Sequence, residues 1–291
     1  MVQVRAPATC ANLGSGFDVF GIALEEPFDM LEVEEAATTS ITVTGHGAET
    51  IPTDPSENIA GIVANLLGVD ATINIEKGIR PSSGLGSSGA SAAGAVVALD
   101  QLYNLGVDRN EQVSVAAEAE GVIAGEPHAD NVAAAIYGGF VIVDEPAIHS
   151  FETDLSMVVC LPDITVSTEE ARSVLPTSVT LADHTNTVAN AAALTAGMFQ
   201  ADPVLVGEGM EDYIITPRRK QFVPRFDEVC EAARNAGATG VTMSGAGPAV
   251  VAVCESTDQS DVATAMCDAF EVTAIRSTAW QTSIGKGIVI Q

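Results

Sequence analysis

The stretch that most constrains this chain is PSSGLGSSGAS, residues 81–91, followed at once by the helix-forming run AAGAVVALDQLY. Glycine loses more backbone freedom on folding than any other residue. Gly84, Gly86 and Gly89 in one short loop therefore imply backbone that a side chain would obstruct. The preceding segment, ATINIEKGI, alternates apolar and polar residues as a strand does. A strand, a glycine loop and a helix in succession gather free N–H groups and the positive end of a helix dipole, which suits an anion. Ser87 and Ser88 add hydroxyls able to donate to phosphate or to ligate Mg²⁺. The order is not the GxxxxGK[ST] of a P-loop, which excludes that class. Two readings stay open on these residues alone: a phosphate cradle, or a tight turn that brings a helix close.

Charge narrows the partners. Acids outnumber bases 39 to 12, for a net charge of −27, and only Lys77, Lys220 and Lys286 are lysines. Such a charge repels nucleic acid and anionic membranes. The acids are spread along the chain and the mean hydropathy is +0.27, so the chain reads as folded rather than disordered. Adaptation to high salt, where screening weakens self-repulsion, fits these values. No run approaches the ~18 apolar residues of a membrane helix, and MVQVRAPATC lacks the basic and apolar regions of a signal peptide. Cys10, Cys160, Cys230, Cys254 and Cys267 form no CxxC pair, so neither disulfides nor structural zinc are expected. Together these features predict a cytoplasmic protein.

Strands are predicted in VQVRAPA, DMLEVEEA and SITVTGHG, a helix in NIAGIVANLLGV, and a helix from Ser91 capped by Gly106. A further helix starts with Asn110 as N-cap, and YGGFVIVDE reads as a strand. The pattern then restarts with the strand SMVVCLPD and helices in TEEARSVL, HTNTVANAAALTAGMF, FDEVCEAARNAG and DVATAMCDAF. ATGVTMSGAGPAVVAVCE reads as strand, glycine turn, strand, and VTAIRST as a last strand. Strands and helices without strict alternation predict an α+β protein in two halves, residues 1–150 and 151–291.

Three segments stand in an informative order: APATCANLGSGFDVFGIAL (6–24), the glycine loop, and GVTMSGAGPAVVAV (240–253). In order and spacing they resemble the three motifs of the GHMP kinases, over nearly the whole length. Asn12 and Asp18 in ANLGSGFDVFG, and the segment EAEGVIAGEPHADNVAAAIYGGF (118–140), are similar to the homoserine-phosphorylating branch. So are STEEARSVLP (167–176) and TPRRKQFVP (216–224). The resemblance implies an N-terminal half like ribosomal protein S5 domain 2 and a ferredoxin-like C-terminal half. It also implies ATP and Mg²⁺ as cofactors and L-homoserine as substrate, and it leaves a homodimer open.

It implies site residues as well. Pro81, Ser82, Ser83, Gly84, Leu85, Gly86, Ser87, Ser88, Gly89, Ala90 and Ser91 would bind ATP, with Ser88 and Glu120 holding Mg²⁺. Homoserine offers an ammonium, a carboxylate and a hydroxyl. Asp18 with Asn12 would face the ammonium, Arg172 and Arg219 would grip the carboxylate as planar forks, and His128 and Asn131 would sit near the hydroxyl. Arg219 is preferred to Arg218 because the family places the arginine two residues after the proline. Asn131, Glu120 and Ser88 form the catalytic set, and Asp130 has no assigned place. Each has a bland alternative: a turn for Asp18, a solvated helix face for Glu118 and Glu120, a structural histidine for His128. The chain departs from the family at Arg225, where Pro-Gly-Phe is usual, and at Ala134 in NVAAA, where the family has proline.

Other readings predict different residues. A shikimate- or mevalonate-type kinase would leave Asp18 without an ammonium to meet, and a non-catalytic nucleotide-binding regulator would have lost Ser87, Ser88 or Glu120, all of which are present. A nucleic-acid module with an S5-like fold conflicts with the charge.

Overall fold

Alternating residues at the start of the chain build β1 (Val2–Ala11), β2 (Phe20–Glu35) and β3 (Ser40–Gly45), followed by α1 (Ile59–Leu67) and β4 (Ala71–Lys77). The Ala-rich middle gives α2 (Ser87–Tyr103), α3 (Arg109–Ala124) and α4 (Ala129–Tyr137), then β5 (Phe140–Asp144) and β6 (Ala147–Phe151). The remainder forms β7 (Ser156–Pro162), α5 (Thr168–Ser173), α6 (Leu181–Gln200), α7 (Pro203–Gly209), α8 (Thr216–Arg219) and α9 (Phe226–Asn235). It closes with β8 (Ala238–Met243), β9 (Val250–Cys254), α10 (Gln259–Glu271), β10 (Ser277–Ser283) and β11 (Val289–Ile290). This is a computed structural model, and it describes residues 1–124, 129–144 and 146–291.

Two sheets organise these elements. The first runs β11-β1-β2-β4-β3, with β5 beside the other end of β2 and β6 beside β5. The second runs β10-β7-β9-β8 with all pairs antiparallel, the order of a ferredoxin-like unit. The α+β class expected from the sequence is the class observed. Period-two alternation on β7 joins the halves: Met157, Val159 and Leu161 face the large core under the first sheet, while Val158 and Cys160 face α9 and α10. Helix α2 reaches close to the first sheet because Gly94 lets Leu31 and Ala6 approach; a Cβ there would lie 2.8 Å from Leu31.

Several boundaries differ from the sequence reading, each for a local reason. Helix α2 starts at Ser87, inside the glycine loop, and ends at Asn104, whose φ of 51° makes it the left-handed cap in place of Gly106. Gly106 follows two residues later and donates its N–H to Asp100 Oδ1 (2.9 Å). At the start of α3 the Asp108 carboxylate accepts from the Glu111 N–H (3.0 Å), so Asp108 takes the capping role given to Asn110. Asn110 instead accepts from the Tyr137 hydroxyl (2.8 Å). The last predicted strand begins later than VTAIRST suggests: residues 272–274 turn, and β10 begins at Ser277.

Arg225, where the family usually has glycine, is the N-cap of α9 with φ 60° and ψ 23°. That is left-handed backbone, which a side chain disfavours by about 1 kcal/mol. Arg225→Gly is therefore expected to stabilise the protein by about 1 kcal/mol, a rise of about 2 °C in Tm for a chain this long. Thermal unfolding checks it; an unchanged or lower Tm would mean that contacts of the arginine side chain outweigh its backbone strain.

Candidate active site

The glycine loop, the β1–β2 loop and the SGAG turn before β9 converge on one cavity of about 520 Å³. Their mutual contacts are backbone-tight. Ser244 donates its hydroxyl to Gly84 O (2.6 Å), Gly245 N–H donates to Ala11 O (3.1 Å), and Ala249 N–H donates to Ser83 O (3.0 Å). A Cβ on Gly84, at φ 80°, would meet Ser244 O at 2.6 Å and Gly247 O at 2.7 Å, so only glycine fits there.

Within the loop the residues divide by direction. Pro81, Ser82, Ser83, Gly84, Gly86, Ser87, Ser88, Gly89 and Ser91 line the cavity, whereas Leu85 and Ala90 do not and are fully buried in the core. The Ser87 hydroxyl donates to Ile79 O (2.9 Å) and that of Ser91 lies 2.8 Å from Lys77 Nζ, so both are engaged inside the fold. Ser88 stays exposed. The amides of Ser87, Ser88 and Gly89 open α2 and have no acceptor within the helix.

The loop is held from below by Lys77. It pairs with Asp29, which also accepts from the Gly78 N–H (3.0 Å) and the Ile79 N–H (2.9 Å). Lys77 Nζ donates to Ser87 O (2.9 Å) as well. The sequence marks Lys77 only as a rare lysine, and nothing in its local pattern points to Asp29.

Two more predicted residues reach the same cavity from helices. Glu120 of α3 is 6% exposed and accepts a hydrogen bond from the Ser88 side chain. Burial pushes its carboxyl up to about 7, with the nearby Asp130 charge adding to the rise and Ser88 opposing it. Asn131, in the first turn of α4, accepts from the Thr9 hydroxyl at Oδ1 (2.7 Å) and donates from Nδ2 to Asp130 Oδ1 (3.2 Å). Gly86 lies so close to Thr9 and Asn131 that a Cβ would collide with the Thr9 hydroxyl. Asp130 itself is buried on the cavity wall, and burial raises its carboxyl to about 6. Sequence reasoning missed Thr9 and left Asp130 unplaced; the signal for each was its position inside a motif already singled out. His128 lies outside the described residues.

Asn12, Asp18, Arg172 and Arg219 line the same cavity. Asn12 Oδ1 accepts from the Asp18 backbone N–H (3.0 Å), and its amide donates to Gly245 O (3.0 Å). Asp18 forms an ion pair with Arg172 at 3.2 Å. Arg219 is 4% exposed and donates from Nε to Ala171 O and from NH1 to Gly245 O, both at 3.1 Å. Both guanidinium groups sit over the Phe17 ring, 5.9 Å away for Arg172 and 5.1 Å for Arg219. Arg218 points elsewhere, its guanidinium donating to Ile214 O, and is not on the cavity wall.

A glycine loop opening a helix, a buried carboxylate beside a hydroxyl, and two arginines among acids in one cavity suit a kinase. The chain belongs to the GHMP kinase family. Residues 57–139 match the GHMP kinases N terminal domain, and residues 191–272 match the GHMP kinases C terminal domain. It is 53% identical to a homoserine kinase of Halorubrum lacusprofundi over 290 residues, covering 100% of this chain and 99% of that one. To a homoserine kinase of Halobacterium salinarum it is 54% identical over 287 residues, covering 99% and 95%. The crystal structure of homoserine kinase from Cytophaga hutchinsonii superposes with a TM-score of 0.91 at 32% identity, covering 100% of this chain and 97% of the other. The two-half GHMP kinase fold expected from the motifs is therefore the fold of this chain.

The raised carboxyl of Glu120 gives a test without any ligand. Its usual value of 4.5 is that of the unfolded chain, and the folded value is about 7. The ionised form thus disfavours folding above pH 7 by about 3 kcal/mol, and this penalty vanishes as pH falls below 4.5. In divalent-free buffer Glu120→Gln is expected to be more stable than the parent at pH 8, with the gap closing toward pH 5. Urea unfolding across that range decides it; a pH-independent gap would mean that Glu120 is ionised at little cost.

Proposed function

We propose that this GHMP kinase transfers the γ-phosphoryl group of ATP to the side-chain hydroxyl of L-homoserine, giving O-phospho-L-homoserine for threonine synthesis. The observation that carries the reading is the set of charged groups in one cavity: Asp18 and Asn12 for an ammonium, and Arg172 and Arg219 for a carboxylate, with Asn131 on the same wall. Homoserine presents those three groups together. The names carried by the relatives point the same way.

ATP suits the rest of the cavity. Val43, Ile51, Pro52, Ile59 and Ile75 offer an apolar wall for a base, and the first-turn amides of α2 face its phosphates. Glu120 and Ser88 would hold Mg²⁺, since that ion is characteristically bound by one or two carboxylates with the substrate's phosphates completing its shell. When bound, it neutralises charge developing on the transferring group. The chain's own residues then position. Thr9 donating to Asn131 Oδ1 and Asp130 accepting from Nδ2 fix the amide, leaving a second lone pair on Oδ1 for the homoserine hydroxyl. An amide takes up no proton. In a loose, metaphosphate-like transition state the nucleophile needs little prior deprotonation, so its proton passes late to the phosphate.

The two halves divide this work: residues 1–150 supply the phosphate loop, the metal site and Asn131, and residues 151–291 supply both arginines and the SGAG turn. We further read the −27 charge as adaptation to high salt in a cytoplasmic enzyme.

ATP consumption with L-homoserine, L-threonine, L-serine, shikimate and mevalonate, at high and low KCl, tests the substrate. Homoserine should be preferred, and Arg219→Ala should lower kcat/KM for it at least about 100-fold, the loss typical of a buried charge-assisted contact. Turnover only on a carboxylate without an ammonium would overturn the assignment. Asp130→Asn separates the mechanisms: positioning alone predicts kcat within about tenfold of the parent, whereas loss of several orders of magnitude with unchanged binding would make Asp130 a general base.

A further inference from the structure

The fold brings two cysteines together that the sequence keeps far apart. Cys160 on β7 and Cys267 on α10 are separated by 107 residues, yet their sulfurs lie 3.9 Å apart. No CxxC spacing announces the pair. Period-two alternation turns Cys160 toward α10, where it packs fully buried in the smaller core. Cys267 is partly exposed, whereas the other four cysteines are buried.

The two thiols are not equivalent. Hydrogen bonds from Cys160 and from Ser277 at the start of β10 favour the Cys267 thiolate and hold its thiol below the usual range. They do so against burial and against the Asp268 and Glu271 charges. Cys160 is shifted upward by the same contact and by burial, so it keeps its proton. Burial also pushes Cys10 and Cys230 up to about 12 and Cys254 up to about 11. One reachable thiolate therefore stands beside one buried thiol, among three further thiols held protonated.

That arrangement suits stepwise oxidation by a peroxide. The Cys267 thiolate attacks one peroxide oxygen, the O–O bond breaks, and hydroxide leaves. Sulfur gives up two electrons in this step and becomes a sulfenic acid. The Cys160 sulfur then displaces the sulfenic hydroxyl, and its proton leaves with that group as water. The S–S bond formed is about 2.05 Å long, and rotation about the two Cα–Cβ bonds brings the sulfurs together.

We propose that Cys160 and Cys267 form a peroxide-reactive pair, in which Cys267 is oxidised and Cys160 resolves it as a reversible disulfide between β7 and α10. The disulfide stops Cys267 at a level that a dithiol reductant restores, short of the irreversible sulfinic acid. Neither cysteine lines the candidate active site, so this chemistry stands or falls apart from the substrate assignment.

Hydrogen peroxide added to the full chain in chelator-treated buffer tests it, with thiols counted after unfolding. The count should fall from five to three, and dithiothreitol should restore it. The intact mass should fall by about 2 Da, and a nonreducing peptide map should join Cys160 to Cys267. Cys267→Ser should keep its four remaining thiols under the same exposure. Cys160→Ala should carry Cys267 on to the sulfinic acid, a gain of about 32 Da. Circular dichroism confirms that each variant is folded, and the map of the parent needs neither variant. Five thiols surviving a peroxide dose that exhausts added free cysteine would overturn the pair. So would oxidation centred on Cys10, Cys230 or Cys254, or Cys267 sulfinic acid formed in the parent without the cross-link.

Discussion

The site depends on one buried ion pair beneath the glycine loop. Lys77 closes β4, Asp29 sits on β2, and both are at most 3% exposed. Their contacts with Gly78, Ile79, Ser87 and Ser91 tie two strands to the first turn of α2. Removing one partner from such a pair typically destabilises by about 3–5 kcal/mol, because the other is left charged and dry. Here the damage would fall on the turn whose amides face the cavity. The same pairing neutralises one of only three lysines, so Lys77 lends the loop rigidity rather than charge.

That arrangement explains how so acidic a chain can accommodate a nucleotide. Positive character at the loop comes from oriented amides, which carry no formal charge and are insensitive to the surrounding acids. Apart from that paired lysine, formal positive charge on the cavity wall is carried by Arg172 and Arg219, which stand among Asp18 and Asp130. The site is therefore locally balanced inside a strongly anionic molecule. Burial, more than neighbouring charge, sets the carboxyls of Glu120 and Asp130, since desolvation is the leading cause for both.

What was legible in the sequence was local. The glycine loop, its flanking strand and helix, and the SGAG turn follow from short-range backbone rules, and each motif lies on the cavity wall. Even there the caps moved, because Asn104 and Asp108 outcompeted Gly106 and Asn110 for roles that several polar residues could fill. Legibility failed where the cavity wall is built from pairs distant in sequence. Thr9 with Asn131, Asp29 with Lys77 and Asp18 with Arg172 are separated by 122, 48 and 154 residues, and no periodicity encodes which partner each will find. Arg225 is the reverse case: a departure from the family that the sequence displays plainly, but whose meaning needed a φ angle.

The path of the last residues bears on how the molecule assembles. After β10, Ile284 bridges Leu24, Gly285 O accepts from the Gly139 N–H, Ile288 N–H donates to Ala135 O, and β11 lies along β1. Residues 284–290 are thus stitched along elements laid down between half and nearly the whole of these 291 residues earlier. A chain emerging from the ribosome would hold β1 with an unpaired edge until residues 289–290 have been made, and contacts of such long sequence separation are slow to close. In that interval the nascent first half presents a strand edge to its neighbours.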